Sequence, residues 1–144
     1  MTLEEIQTLW DKDSKIDILE LGTEAIKISS LHSKYYKILI QERLILKKYQ
    51  NELISLKAKK FQFFTNGHDE ETRDLGWELP PQGKILRTDA QMFVDADTEV
   101  QKQNIKIAIQ TEKVEMVDSI IKSLNARGYN IKTAFDYIRF NAGG

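Results

Sequence analysis

The chain has 144 residues, 30% of them charged, with a formal net charge of −1 and no cysteine. That length suits one domain or two small lobes around a shared scaffold, and the lack of cysteine excludes disulfides and thiolate metal sites and fits a reducing cytoplasm. With only two prolines, clear helical periodicity and no apolar run near the ~20 residues of a membrane span, the composition points to an all-α protein without a transmembrane segment.

Thr2 opens a T-x-x-E pattern with Glu5, a capping box that starts a short helix through about Trp10. The acidic stretch from Thr2 to Ile6 does not read as a signal peptide. The polar run from Asp11 to Lys15 weakens that first helix, and Asp17 is suited to cap a second, longer one. From Leu21 to Phe64 there is no proline, and Gly22 is the only glycine. Leu31, Tyr35, Ile38, Ile45, Tyr49, Leu53 and Leu56 recur at helical spacing, so one long amphipathic helix of roughly 65 Å is expected. A domain of this size has a radius of gyration of only ~15 Å, so such a helix must project or find partners. Its apolar positions form two adjacent stripes meeting at Glu42 and Tyr49, a pattern that favours several helical neighbours over a simple coiled-coil dimer.

The end of this helix is basic and aromatic. Lys57, Lys60, Phe61 and Phe64 fall at i, i+3, i+4 and i+7, with Lys59 and Phe63 as a second pair beside them. Lysines near phosphates supply salt-dependent affinity, and phenyl rings can stack bases, so the block has the chemistry of a surface for single-stranded nucleic acid. An alternative carries equal weight on spacing alone: the phenylalanines plug a core and the lysines complement the helix dipole. Thr65-Asn66-Gly67 then stops the helix.

Charge is segregated along the chain. Residues 21–64 carry nine basic and three acidic side chains, a net +6, whereas residues 65–100 carry three basic and nine acidic, a net −6. The stretch from His68 to Gln82 therefore reads as an acidic connector, which is also able to compete with DNA for a basic groove. Lys84 to Arg87 reads as a short extended piece. Asp89, Asp95, Asp97 and Glu99 lack the spacing of a calcium loop, and Asp95 and Asp97 are better read as capping the next helix. That second long helix is expected from about Thr98 to Ala126, with Gln103 and Gln110 at seam positions of the kind that fix register or oligomer state. Gly128 is expected as its C-cap, before a short terminal helix from Ile131 to Phe140. The two histidines, His32 and His68, suggest no metal site, and neither a nucleophile–base pair nor a phosphate-binding loop appears. No cofactor, metal or enzymatic activity is expected.

Several segments taken together resemble the UvsY family of recombination mediators of T-even-type phages and their marine relatives. They are Ser30-Leu31-His32-Ser33-Lys34-Tyr35-Tyr36, Lys60-Phe61-Gln62-Phe63-Phe64-Thr65, Asp89 through Asp97, and Arg127-Gly128-Tyr129-Asn130-Ile131-Lys132 with Phe140. The resemblance implies a non-enzymatic, mainly all-α protein with two long amphipathic helices, forming an elongated protomer within a ring-like homo-oligomer, a hexamer or heptamer. It implies binding of single-stranded DNA, contact with the phage single-strand-binding protein, and loading of the phage RecA-like recombinase in the cytoplasm of the infected cell. The family's DNA motif runs basic, any, basic, apolar, any, aromatic, aromatic, Ser/Thr, Gly. Here its second basic position falls on Lys60 and its aromatics on Phe63 and Phe64. Its first basic position falls on Ala58, flanked by Lys57 and Lys59, and an extra Asn66 precedes Gly67.

The expected layout is a DNA-binding region over 1–67 with Lys57, Lys59, Lys60, Phe61, Phe63 and Phe64 as contacts, and an acidic linker over 68–88. Residues 89–144 complete it as an oligomerisation region, with Val114, Val117, Ile121, Leu124, Phe135 and Ile138 as subunit contacts. The competing expectation is a helical structural or adaptor protein of a phage assembly with no nucleic-acid role.

Overall fold

A computed structural model describes residues 1–143. Among them there is no strand. Helix α1 spans Leu3–Asp13, a 3-10 turn Ile18–Glu20, α2 Leu21–Asn66, α3 Glu70–Asp74, α4 Arg87–Ala96 and α5 Thr98–Asn141. No helix among the described residues is long and apolar enough to cross a membrane.

The helix boundaries obey local chemistry. The Thr2 hydroxyl accepts from the Glu5 N–H at 3.0 Å, and Glu5 Oε2 accepts from the Thr2 N–H at 2.8 Å, closing the expected capping box. Asp17 caps the 3-10 turn through the Leu19 N–H rather than starting α2 itself. At its far end α2 stops where Gly67 adopts a φ of +86°, a left-handed conformation that L side chains rarely hold. A Cβ there would also come within 2.9 Å of Lys84 Cε. Asp97 opens α5 by accepting from the Glu99 and Val100 N–H groups at 3.0 and 3.1 Å, as expected of an N-cap.

The chain divides into two compact units, each built from a part of both long helices: residues 1–44 with 110–144, and residues 45–109. In the first, α1 packs on the antiparallel pair of α2 and α5. Its core is Ile6, Tyr35, Leu39, Val117, Ile120, Ile121 and Leu124. Tyr35 and Trp10 meet edge to face at 5.5 Å. The Tyr35 hydroxyl donates to Asp13 Oδ2 at 2.8 Å, and Arg127 Nη2 donates to the Asp13 and Ser14 carbonyls at 3.0 Å each, satisfying the open C-terminal end of α1. In the second unit, the last turns of α2 pack with α3, α4 and the start of α5 around Phe63, Phe64, Trp77, Ile85, Ala90, Val94 and Val100.

The structure corrects several sequence expectations. Helix α5 does not end at Gly128 but continues to Asn141. Buried Arg127 and Ile131 anchor the helix on either side of the glycine, and a helical glycine costs only about 1 kcal/mol. Residues 68–88, read as a connector, supply α3 and the core side chains Trp77 and Ile85. Of the stretch read as extended at Lys84–Arg87, Leu86 is extended while Arg87 opens α4, whose Ala90 and Val94 are fully buried one turn apart. The seam glutamines act within the chain. Gln103 Nε2 donates to the Tyr49 carbonyl at 2.9 Å in the second unit, and Gln110 Nε2 donates to the Glu42 carbonyl at 2.8 Å and carboxylate at 2.6 Å in the first.

The residues expected at subunit contacts separate into two groups. Val117, Ile121 and Leu124 are buried in the core of the first unit and Val114 packs against it, so their apolar surface is already covered inside the chain. Phe135 and Ile138, nearer the end of α5, are 55% and 45% exposed.

Candidate nucleic-acid interface

The final turns of α2 carry the lysine–phenylalanine block, and the second unit folds acidic segments back against it. Phe63 and Phe64 are buried. Phe63 contacts Trp77 edge to face at 5.5 Å and His68 at 4.9 Å, while Phe64 lies 6.0 Å from Phe93. Lys60 is only 4% exposed. Its ammonium lies 3.2 Å from Asp97 Oδ1, 3.6 Å from Glu99 Oε1 and 3.8 Å from the centre of the Trp77 ring. A buried ammonium needs this enclosure by carboxylates and a π face to offset its lost hydration.

Of the six side chains expected as DNA contacts, Lys60, Phe63 and Phe64 are buried. Phe63 and Phe64 form part of the phenylalanine plug that the helix spacing also allowed, and Lys60, there expected at the helix dipole, is buried with them because the acidic second half of this unit closes over all three. Lys57 and Lys59 reach solvent, with side chains 39% and 56% exposed, and Phe61 is half-buried. Both lysines face carboxylates: Lys57 Nζ is 3.8 Å from Asp95 Oδ1, and Lys59 Nζ is 2.9 Å from Glu71 Oε1. Exposed pairs of this kind are weak and exchange readily with other anions. Lys57 and Lys59 are two residues apart, roughly 200° around α2, and each is held by a surface carboxylate on a different element, Asp95 of α4 and Glu71 of α3.

The loop after α2 is locally ordered. Hydrogen bonds from the Thr72 N–H and hydroxyl hold the exposed Asp69 carboxyl below the usual carboxylate range. Among the described residues no group of three or more His, Cys, Asp or Glu side chains is arranged to hold a metal ion. Sequence reasoning missed Trp77 as the cover of Lys60, and Glu71 and Asp95 as the partners of the exposed lysines. The one available signal was the change from a net +6 to a net −6 between consecutive segments.

Comparison with solved structures finds the same fold in three crystal forms of the bacteriophage T4 recombination mediator protein UvsY. Lattice type II matches with a TM-score of 0.80 at 20% identity, covering 99% of this chain and 98% of that one. Lattice type IV gives 0.79 at 18% identity, covering 98% and 99%, and lattice type I gives 0.80 at 17%, covering 95% and 98%. Comparison with curated proteins finds no match. The family model described as "Recombination, repair and ssDNA binding protein UvsY" matches residues 9–144. With nearly its whole length covered by that model, the chain belongs to the UvsY family of recombination, repair and single-stranded DNA-binding proteins.

Proposed function

We propose that this protein is a recombination mediator. It binds single-stranded DNA, helps displace the single-strand-binding protein, and loads a RecA-like recombinase during homologous recombination and repair. It acts by binding rather than by catalysis, in the cytoplasm of an infected host cell. The observation that carries this reading is the pair Lys57 and Lys59, exposed on the last turns of α2 in a chain of this family. Their ammonium groups give phosphate affinity that falls with salt. Lys60, Phe63 and Phe64 support them from the core by holding the end of α2 in place.

One pair of exposed lysines binds weakly, so function calls for several copies. The end of α5 leaves Phe135, Tyr137, Ile138 and Phe140 exposed, an amount of open apolar surface that favours subunit association. Phe135 and Ile138 then serve as contacts in a ring-like homo-oligomer, a hexamer or heptamer, and the repeated lysines bind one strand with added avidity. Phe135→Glu with Ile138→Glu is expected to lower the assembled mass while leaving the helical content intact. An unchanged mass would remove these residues from the subunit contact.

Anisotropy titrations of a labelled single-stranded oligonucleotide and its duplex, across a salt series, test the central reading. Tighter binding to the single strand, weakening with salt and lost in a Lys57→Ala/Lys59→Ala protein of normal mass, is expected. A second reading, a helical adaptor without a nucleic-acid role, draws support from the burial of Lys60, Phe63 and Phe64. Binding that ignores the strand state, the salt and both lysines would favour it.

A further inference from the structure

Phosphate-binding lysines do not by themselves distinguish a single strand from a duplex, because both present phosphates. Beside Lys59 the structure has a feature that does. A cavity of about 410 Å³ lies between the last two turns of α2 and the segment leading through α3 to Trp77. Its volume falls within the ~300–1,000 Å³ typical of small-ligand sites. Phe63, His68 and Trp77 form aromatic walls, with Gln62 and Asn66 beside them and Lys59 at the rim. Gln62 and Asn66 are exposed, and each amide carries both donors and an acceptor, so either can meet any base edge. The carboxylates that also line the cavity are engaged: Asp69 accepts from the Thr72 N–H at 2.8 Å, and Glu71 pairs with Lys59 at 2.9 Å.

A second, more open hollow of about 700 Å³ shares Lys59, Glu71, Leu75 and Trp77 with the first. The Lys59–Glu71 pair thus stands where the two meet.

We propose that this cavity receives one unpaired nucleobase of the bound strand, against the aromatic walls formed by Phe63, His68 and Trp77, while Lys59 takes an adjacent phosphate. A paired base is stacked and hydrogen-bonded within its duplex and cannot enter, so the cavity gives binding at Lys59 its preference for single strands. The amides make it tolerant of sequence. This assignment rests on the DNA-binding reading above and adds a site to it.

The chain has two tryptophans, so Trp10→Phe leaves Trp77 as the only indole reporter. That protein is titrated, at one salt concentration, with a mixed-sequence single-stranded oligonucleotide and with one of equal length made of abasic residues. The expected result is quenching of Trp77 by the base-bearing strand alone, with the abasic strand binding ~5-fold or more weakly. Equal affinities with Trp77 unchanged would overturn the base site while leaving phosphate binding in place. Weaker abasic binding without any change at Trp77 would place the base contacts elsewhere and also overturn it. If neither strand binds, the DNA-binding reading fails, and the base site with it.

Discussion

Lys60 Nζ lies 3.2 Å from Asp97 Oδ1, joining the last turns of α2 to the N-cap of α5 across the core of the second unit. Because Asp97 also accepts from the Glu99 and Val100 N–H groups, the pair couples a buried charge to a helix start. Removing the ammonium strands a carboxylate that is mostly shielded and takes a cation from the face of Trp77. Lys60→Ala is expected to lower unfolding stability by about 2–3 kcal/mol, less than the full cost of breaking a wholly buried pair because Glu99 is half-exposed. Lys57→Ala, at an exposed site, is expected to cost less than about 1 kcal/mol. Urea unfolding midpoints of the two variants check this, and equal midpoints would count against the structural role of Lys60. Loss of DNA binding on replacing Lys60 then reports first on the integrity of the α2 end.

Glu71 and Asp95 sit on the two lysines that a phosphate must reach. Each intramolecular pair is a competitor for DNA, and an exposed pair is weak enough to be displaced. Neutralising both by Glu71→Gln and Asp95→Asn is expected to raise affinity for a single-stranded oligonucleotide roughly 2- to 10-fold. Glu70→Gln with Asp74→Asn changes the net charge by the same amount, but no ion pair to Lys57 or Lys59 is lost. That control separates release of the lysines from a general fall in negative charge. Equal gains from the two double variants would show that only net charge matters.

These pairs also show what the sequence could and could not reveal. The Thr2–Glu5 capping box and the stop of α2 at Gly67 depend on neighbours within a few residues, so they were legible. The fate of Lys60 depends on Trp77 and Asp97, and nothing local distinguishes a lysine under an indole from one in water. Spacing placed Lys60 and Phe64 on one helix face correctly, but which side of that face is covered is decided by α4 and the start of α5. Helix α4 was missed because it is short and its packed side is Ala90, Phe93 and Val94, a single turn that gives no sustained periodic signal. Gly128 misled in the opposite direction: a local stop signal was overridden by Arg127 and Ile131, whose partners lie elsewhere in the chain.

Acid sensitivity should appear in the first unit, at Asp13. Burial pushes its carboxyl up, but hydrogen bonds from Lys34 at 2.7 Å and Tyr35 at 2.8 Å outweigh this and hold it below the usual range. Burial and the same hydrogen bond to Asp13 push the Tyr35 phenol well up, so it stays a donor throughout the useful range. A carboxyl depressed in the folded state contributes stability that is fully present above its unfolded pKa of about 3.9 and is lost as pH falls through its lower folded value. Asp13→Asn is therefore expected to be less stable than the parent protein near neutrality, with the gap closing below about pH 4. Urea midpoints of both proteins across this range check the sign. A gap that stays constant into acid would show that the contribution of Asp13 is not tied to its charge.

Glu42 and Gln110 set the register of α2 against α5 in the first unit. Glu42 is 2% exposed and Gln110 1%, and the glutamine amide donates to both the carboxylate and the backbone carbonyl of Glu42. The α-amino group of Met1 lies 3.4 Å away and supplies a positive charge beside this carboxylate. Gln110→Leu would leave a buried carboxylate and a carbonyl without their shared donor, at an expected cost of about 2–4 kcal/mol. Replacing both residues, Glu42→Met with Gln110→Leu, removes the stranded charge as well as its partner and should recover most of that loss, because a well-packed apolar pair often matches a buried polar one. What an apolar pair does not restore is directionality: a hydrogen bond fixes one helix against the other, whereas two aliphatic side chains tolerate a shift. The double variant is therefore expected to unfold near the parent's urea midpoint yet exchange its α2 and α5 amide hydrogens faster in this unit. A double variant as unstable as Gln110→Leu alone would show that the cost comes from lost packing at position 110 rather than from the unpaired carboxylate.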